Sequence, residues 1–345
     1  IFANLPKPTA DEERSWSHAA QQLYAQAGIT TAHEGATHLS DLALMQRVST
    51  AGGNQIDIVA SPFITELDAI LKSNPPSSFG QYNNGLKLGG AKITIDGSVQ
   101  GRTALFTTPY LVEGPNGEKP WKGVAPFTQQ QLNQMVKQVY DLGLPLDLHA
   151  NGDGAIDMLL AAHEFAAAGD LEKERHVTAV HSQFVRRDQL DKYRKYKITP
   201  SFFTQHTYFF ADTHLVLRGK QQTDFISPMR TAIDMGLRPS NHTDFVVTPL
   251  DQLFVLWTAV NRISRNGVLI GGGERITPLE ALEAITLSAA RQHGDEQTKG
   301  SLEPGKLADM VILSANPLTV EPMQIKDIKV VETFKQGRRI YPQQL

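Results

Sequence analysis

LPLDLHANGDGAID, residues 144–157, is the stretch that decides the fold, because it joins a short apolar run to a helix through one histidine. The run LPLDLHA is typical of a β-strand, and the pattern that follows predicts a helix over residues 154–168. His149 then lies at the carboxyl end of the strand, and Asp153 is placed to cap the helix. The same strand–turn–helix unit recurs along the chain.

Six further β-prone runs alternate with helical patterns, and they read ITTAHE, QIDIVASPF, GAKITID, HVTAVHS, ITPSFF and LRPSNHT. Apolar strands that alternate with amphipathic helices predict an α/β fold in which helices cover a parallel sheet. Seven such repeats, with polar residues at the strand ends, favour a (β/α)8 TIM-like barrel over an open sheet. We count these strands as strands 2 to 8, so strand 1 is apparently missing and would lie upstream.

The C-terminal tail has a different character from the repeats. KLADMVIL and VVETFKQGRRIY are rich in β-formers, and a turn is expected at Gln336–Gly337. These runs predict a small C-terminal β-subdomain. The predicted domains are therefore residues 1–300, an incomplete barrel, and residues 301–345, strands of a small β-sandwich.

Composition excludes several classes of protein. The chain has 345 residues, a formal net charge of −3 and a pI of about 6.4, so nothing suggests nucleic-acid or membrane-surface binding. It has no cysteine, which excludes disulfides and thiolate ligands. No apolar run is long enough to span a bilayer. The compartment stays open: the cytoplasm is favoured and export is not excluded.

Four polar residues stand at or near the ends of β-prone runs: Lys92, His149, His181 and Asp244. Because strand ends of a barrel meet at one mouth, the two histidines could share a divalent ion, with Zn²⁺ the default for imidazole. Asp244 could accept a proton from metal-bound water and pass it to the leaving group. In this order, the four residue types are those that a hydrolytic metal site on a barrel requires.

Each of these residues also has a simpler interpretation. Lys92 lies inside an apolar strand, where it could pair with a carboxylate such as Asp96 or react with CO₂ to give a carbamate that bridges two metals. Asp244 could be a loop cap, and a lone histidine is more often structural than a ligand. The functional interpretation rests on the four taken together.

Other residues are weaker candidates. His206, Arg102 and His242 are expected to contact substrate. His33 ends the first visible strand and is expected to be structural. The remaining histidines that we considered are interpreted as surface or packing residues, and these are His18, His163, His176 and His293.

Taken together, these segments resemble the amidohydrolase superfamily, in particular the amidohydrolase-3 group, which includes N-substituted formamide deformylases. The resemblance is carried by GITTAHEGA, KITIDGSVQGRTA, LHANGDGAID, VHSQ, SNHTDFVVTPLD and the run from ITPLEALEAI to GKLADMVIL. It implies that Lys92 is a carboxylated, metal-bridging lysine, that His149 and His181 are metal ligands, and that Asp244 is the catalytic aspartate.

The chain departs from the family pattern in one respect. Members of the superfamily also take an H-x-H pair from the first strand, and this chain contains no H-x-H. The chain starts at Ile1, so we interpret it as the C-terminal part of a longer protein.

The main hypothesis is a metal-dependent hydrolase that cleaves the C–N bond of a small-molecule amide of the N-acyl or N-formyl class. It is expected to hold one or two divalent ions, with zinc favoured, and to carry a carbamate on Lys92. The alternative is an inactive, regulatory or binding protein on a truncated amidohydrolase scaffold. No nucleic-acid or membrane partner is expected, and a homo-oligomer is left open.

Overall fold

The computed structural model describes residues 8–342. Its helices are α1 (Ala10–Gln26), α2 (Leu39–Thr50), α3 (Leu67–Leu71), α4 (Gln129–Asp141), α5 (Asp153–Ala166), α6 (Arg187–Tyr196), α7 (His206–Phe209), α8 (Ala211–Arg218), α9 (Lys220–Thr223), α10 (Met229–Asp234), α11 (Gln252–Asn261), α12 (Pro278–Ile285) and α13 (Leu287–Gln292). Its strands are β1 (Thr31–Thr37), β2 (Asp57–Pro62), β3 (Tyr82–Asn83), β4 (Leu86–Leu88), β5 (Ala91–Thr94), β6 (Leu146–Ala150), β7 (Val177–His181), β8 (Ile198–Phe202), β9 (Ser240–Asn241), β10 (Met310–Leu313), β11 (Val330–Lys335) and β12 (Arg338–Tyr341).

The chain forms two compact units. The first takes in the described residues up to Gly89, with Leu307–Ser314 and the described residues from Val330 onward. The second consists of Gly90–Lys306 and Ala315–Lys329. The predicted division into residues 1–300 and 301–345 stays a prediction.

The first unit contains a four-stranded sheet and a three-stranded sheet. The four-stranded sheet has the order β1-β2-β4-β3, with β1, β2 and β4 parallel and β3 antiparallel to β4. The three-stranded sheet is an antiparallel meander of β10, β11 and β12. Gln336 and Gly337 connect β11 to β12 with φ values of 51° and 78°, a left-handed pair that suits a two-residue hairpin turn. The predicted turn is therefore found.

A buried ion cluster ties the tail strands of the first unit to its parallel sheet. The Lys335 ammonium lies 2.7 Å from the Asp57 carboxylate on β2 and 2.6 Å from that of Asp309. Ile340 packs with Ala25 and Ile56 in a small apolar core. Replacing Lys335 by an uncharged residue would remove the ammonium that both carboxylates contact, and breaking a buried ion pair in this way typically costs ~3–5 kcal/mol. The tail strands are thus integral to this unit.

The second unit is built around a five-stranded parallel sheet with strand order β5-β6-β7-β8-β9. Successive strands lie side by side, and helices connect them, as the alternating pattern predicted. Residues 97–126, expected to be irregular, contain no helix or strand among the described residues. A parallel α/β arrangement is confirmed, whereas closure into an eight-stranded barrel and a missing strand 1 stay predictions.

Helix α4 shows how local sequence positions the layers of this unit. Thr128 caps its first turn in a reciprocal capping box with Gln131. Leu132, Val136 and Val139 recur at helical spacing, and all three side chains are fully buried. The apolar stripe therefore marks the face of α4 that is buried in this unit.

Four helices lie between β8 and β9, and the sequence pattern predicted one of them, α10. The residues directly after ITPSFF were expected to form a loop, but the structure forms α7, α8 and α9 there. These helices have four, eight and four residues, so none presents enough turns for an apolar period to be recognised. Within residues 8–342, no helix is long and apolar enough to cross a membrane.

Candidate functional site

The register of the five-stranded sheet gives it one apolar and one polar face. One row of paired residues is apolar and buried, and it consists of Ile93, Leu148, Ala179 and Pro200. The row before it consists of Lys92, Asp147, Thr178 and Thr199. Because side chains alternate along a strand, these two rows point to opposite sides of the sheet. The candidate functional residues lie on the polar side of the sheet.

Lys92 and His149 share this polar face. His149 stands two residues after Asp147, and Asp147 is the register partner of Lys92. Lys92 is only 6% exposed, as its position within an apolar strand predicted. Lys92 therefore lies on the strand next to that of His149, on the same face, and two residues before the register partner of the histidine.

His181 joins His149 through a change in backbone conformation. It ends β7 with φ at 69°, and Ser182 follows with φ at 42°. Left-handed backbone at a non-glycine residue costs on the order of 1 kcal/mol or more and concentrates at functional sites. The rings of His149 and His181 lie 4.5 Å apart between centroids, in an edge-to-face arrangement. The two histidines are therefore neighbours, as predicted.

His242 follows β9 and extends this cluster. Its Nε2 lies 3.1 Å from Nδ1 of His181, and its Nδ1 lies 3.0 Å from Oγ of Ser201. Asn241 points the other way and exchanges hydrogen bonds with Thr204 at 3.1 and 2.8 Å. Asn241 and His242 therefore point to opposite sides, as neighbouring residues in a strand do.

Asp244 belongs to the same electrostatic environment. It has φ at 50° and keeps part of its surface open to solvent. Desolvation by the surrounding protein raises the pKa of its carboxyl, and the nearby charges of His149 and Lys92 oppose that rise. Solvent access limits the size of the shift in pKa. The interaction places all three side chains within electrostatic reach of one another.

Burial keeps His181 neutral. Desolvation lowers the pKa of His181 well below its usual value, and the neighbouring His149, His242 and Lys92 lower it further. A neutral imidazole has one nitrogen with a free lone pair, which is the form that binds metal. The electrostatics of this residue are therefore those of a potential ligand.

His206 lies deeper in the cluster. Its ring is 4.1 Å from that of Phe203 and 6.1 Å from that of His181. Burial lowers the pKa of His206 well below its usual value, and His214 contributes to the shift. Among residues 8–342, Nδ1 of His206 has no hydrogen-bond partner. The residue is close to the candidate ligands but almost fully enclosed.

Two contributors were missed or undervalued in the sequence. His214 is fully buried beside Gln183, and burial lowers the pKa of His214 to about 3. It lies in α8, in the segment interpreted as a loop, so its direction was not predictable. Asp96 was considered only as a partner for Lys92. Its carboxylate accepts backbone N–H bonds from Leu105, Asn151 and Gly152, each at 2.9 Å.

Asp96 thereby holds together the loops that surround His149. One of its oxygens lies 3.5 Å from Nε2 of His149, and Nδ2 of Asn151 lies 3.1 Å from the same nitrogen. An aspartate two residues after a strand, followed by Gly-Ser, is a signal for such a loop-organising carboxylate. The chemistry of the His149 ring is thus controlled by the turn after β5.

The other sequence candidates lie in varied settings. Arg102 donates through Nη1 to the carbonyls of Glu113 and Gly114, at 2.8 and 3.2 Å, within its own loop. Its role in substrate binding stays a prediction. In the first unit, Nε2 of His33 lies 2.9 Å from Oγ of Ser61, which suits the expected structural role.

The donor set fits the imidazole part of a divalent-metal site. His149 and His181 are adjacent, and His181 is neutral. Within residues 8–342, no group of three or more His, Cys, Asp or Glu side chains is arranged to hold a metal ion. A catalytic zinc normally takes three protein ligands, so the two histidines need a further ligand. Lys92 is placed beside them on the same face.

Comparisons with known proteins identify relatives of this chain. The chain is 30% identical over 259 residues to the Arabidopsis thaliana protein LONG AFTER FAR-RED 3, covering 74% of this chain and 43% of that protein. It is 22% identical over 336 residues to an N-substituted formamide deformylase of Arthrobacter pascens, covering 94% of this chain and 60% of that enzyme. The chain spans about half the length of the curated relatives it matches.

A solved structure shows the same fold. It is an uncharacterized metal-dependent hydrolase from Pyrococcus furiosus, with a TM-score of 0.76 and 23% identity, covering 92% of this chain and 63% of that one. The fold is accordingly a TIM-barrel-like α/β fold. The model of the amidohydrolase family, in its amidohydrolase-3 group, matches residues 1–341. With a match over nearly its whole length, the chain belongs to the amidohydrolase family.

Proposed function

We propose that the protein is a metal-dependent hydrolase that cleaves the C–N bond of a small-molecule amide, of the N-acyl or N-formyl class. The observation that carries this proposal is the side-by-side placement of His149 and His181, with Lys92 and Asp244 in electrostatic reach of them. Family membership and the relative described as an N-substituted formamide deformylase support the amide class. We further propose that β5–β9 form part of a (β/α)8 barrel.

His149 and His181 are the proposed imidazole ligands of one or two divalent ions, with zinc favoured by their chemistry. When bound, such an ion lowers the pKa of water to about 7 and polarises the substrate carbonyl. The deep burial of His181 keeps its ring neutral and therefore able to bind. The enclosed ring of His206 excludes bulk water from the inner wall of the cluster.

Lys92 is the proposed third contributor. Starting from the ammonium form, Nζ of Lys92 would lose one proton before and one proton after it forms a bond to the carbon of CO₂, and one C=O π bond of CO₂ would open to give an anionic carbamate. Its oxygens are hard ligands, unlike an ammonium group, which has no acceptor atom. Burial of a charged lysine inside a strand costs free energy. Conversion into a carbamate that holds metal would explain why a lysine occupies this position.

Asp244 is the proposed proton carrier. Its carboxylate would accept a proton from the attacking water and deliver it to the nitrogen of the departing amine. The raised pKa of Asp244 brings the group closer to neutral pH, where proton transfer in both directions is easier. Its partial exposure leaves room for a substrate beside it.

The direct test is hydrolysis of a panel of N-formyl and N-acyl amines by protein loaded with Zn²⁺, with release of amine and carboxylate measured together. We expect turnover that a chelator abolishes and that added Zn²⁺ restores. Esters of matched shape serve as the control for bond class. Tight substrate binding without hydrolysis of any member would instead support the binding or regulatory alternative.

A further inference from the structure

A relay of two hydrogen bonds runs from Ser201 through His242 to His181. Oγ of Ser201 lies 3.0 Å from Nδ1 of His242, and Nε2 of His242 lies 3.1 Å from Nδ1 of His181. Both distances are those of ordinary hydrogen bonds. Both nitrogens of the His242 ring therefore face a hydrogen-bonding partner.

The relay is held rigidly by the pairing of β8 with β9. Ser201 pairs with Ser240, and the backbone N–H of His242 donates to the carbonyl of Phe202 at 3.0 Å. The ring of His242 also stacks on that of Phe203, with centroids 5.3 Å apart and an interplanar angle of 28°. The backbone and the stacked ring thus fix the direction in which His242 points.

A neutral imidazole carries one N–H and one acceptor nitrogen, so a relay of two rings has only two consistent directions. In the first, Nδ1–H of His181 donates to Nε2 of His242, and Nδ1–H of His242 donates to Oγ of Ser201. In the second, every donor and acceptor is reversed, and Nε2 of His181 carries the proton. The serine hydroxyl can serve either direction because it both donates and accepts.

Only the first direction leaves the lone pair of His181 on Nε2, the nitrogen not engaged by His242. We propose that His242 is a positioning residue that holds His181 as the Nδ1–H tautomer, with Ser201 as the terminal acceptor, so that Nε2 of His181 is presented to the metal. This inference rests on the proposed function, in which His181 is a metal ligand. It gives His242 a different role from the substrate contact expected from the sequence.

The test combines ring NMR with metal affinity. In ¹⁵N-labelled, Zn²⁺-loaded protein, long-range ¹H–¹⁵N correlations should show His181 protonated at Nδ1 and His242 likewise. The substitution His242→Phe keeps the stacked ring but removes the acceptor. Loss of a residue that orients a metal ligand typically costs 10–100-fold in metal affinity, and we expect a loss of about that size by chelator competition.

Two milder variants separate positioning from folding. His242→Gln retains an acceptor near the position of Nε2 and should restore most of the affinity. Ser201→Ala removes only the terminal acceptor and should weaken Zn²⁺ binding by roughly a few-fold, since the His181 bond persists. The control for general destabilisation is His163→Phe, which changes a buried histidine outside the relay. It should leave Zn²⁺ affinity unchanged.

The failures are distinguishable. If the protein does not bind Zn²⁺ through His181 at all, as judged with His181→Ala, the proposed function is refuted. If binding depends on His181 but His242→Phe leaves affinity within about twofold and the tautomer unaltered, the positioning role is overturned. A rise in KM alone, with Zn²⁺ affinity unchanged, would overturn it in favour of substrate contact.

Discussion

Within the second unit, the buried His163 and the histidines at the strand ends differ in how their ring nitrogens are used. His163, on α5, has Nδ1 2.7 Å from the Tyr140 hydroxyl and Nε2 3.0 Å from the carbonyl of Leu171. Its ring also stacks on Tyr196, with centroids 4.9 Å apart. Every polar atom of this side chain is satisfied by groups that belong to the surrounding helices and their connections.

The histidines at the strand ends instead face one another. His181 has rings on three sides, with centroids 4.5 Å away at His149, 5.0 Å at His242 and 6.1 Å at His206. Burial is the main cause that lowers the pKa of His181, and these neighbours lower it further by repulsion between the charged forms. His163 is thus part of the architecture, whereas the strand-end cluster is the place where we propose that a ligand binds.

The largest expected effect would come from removing a proposed ligand. His181→Ala should reduce amide hydrolysis to background and lower Zn²⁺ affinity by more than about 100-fold, because it removes one of the two proposed imidazole ligands. Metal content by atomic emission and kcat measure the two effects. The matched variant His163→Ala should keep both properties in the folded fraction, and equal metal loss in the two variants would erase the distinction between the clusters.

Asp244→Asn should produce the next largest effect. The amide keeps the shape of the side chain but cannot accept the proton, and general acid–base groups typically contribute ~10²–10⁴-fold. We expect kcat to fall by about that factor, with KM and metal content nearly unchanged. Asp251, which caps α11, offers a control in the same loop through Asp251→Asn. Near-full turnover by Asp244→Asn would show that the aspartate is structural.

His163→Ala should affect stability and leave chemistry alone. The substitution creates a cavity and removes the hydrogen bonds that His163 makes with the Tyr140 hydroxyl and the Leu171 carbonyl. The free energy of unfolding should therefore fall by about 2–4 kcal/mol. Urea denaturation followed by circular dichroism measures this change. A stability loss below the error of that measurement would mean that His163 is not the structural counterpart of the strand-end cluster.

The smallest expected effect is a pH dependence that comes from His163. Burial lowers the pKa of His163 below 6.5, so the folded state resists protonation while the unfolded state accepts it. The stabilising contribution is therefore complete above pH 6.5 and is lost as pH falls below that value, by at most about 1.4 kcal/mol per pH unit. The difference in unfolding free energy between wild type and His163→Phe should shrink on acidification, and a constant difference would contradict the assignment.

The sequence by itself determined the alternation of strands and helices. The spacing of Leu132, Val136 and Val139 identifies a helix without tertiary information, and the β-prone run before His149 identifies a strand. Local periodicity carries such signals because backbone geometry repeats every 3.6 or 2 residues. For the same reason, the hairpin at Gln336–Gly337 could be placed from its residues alone.

Only the tertiary structure decided which histidines meet. His163, His206 and His214 all stand on helices, yet His163 is satisfied by Tyr140, whereas His206 lies near His181 and His214 lies beside His206. The left-handed backbone of His181 has no periodic signature, and it decides where that ring points. The role of Asp96 was hidden for a similar reason, because its partners are backbone N–H groups from loops up to 56 residues away. Contacts between distant segments depend on sheet register and loop conformation, and neither is written in the local pattern of residues.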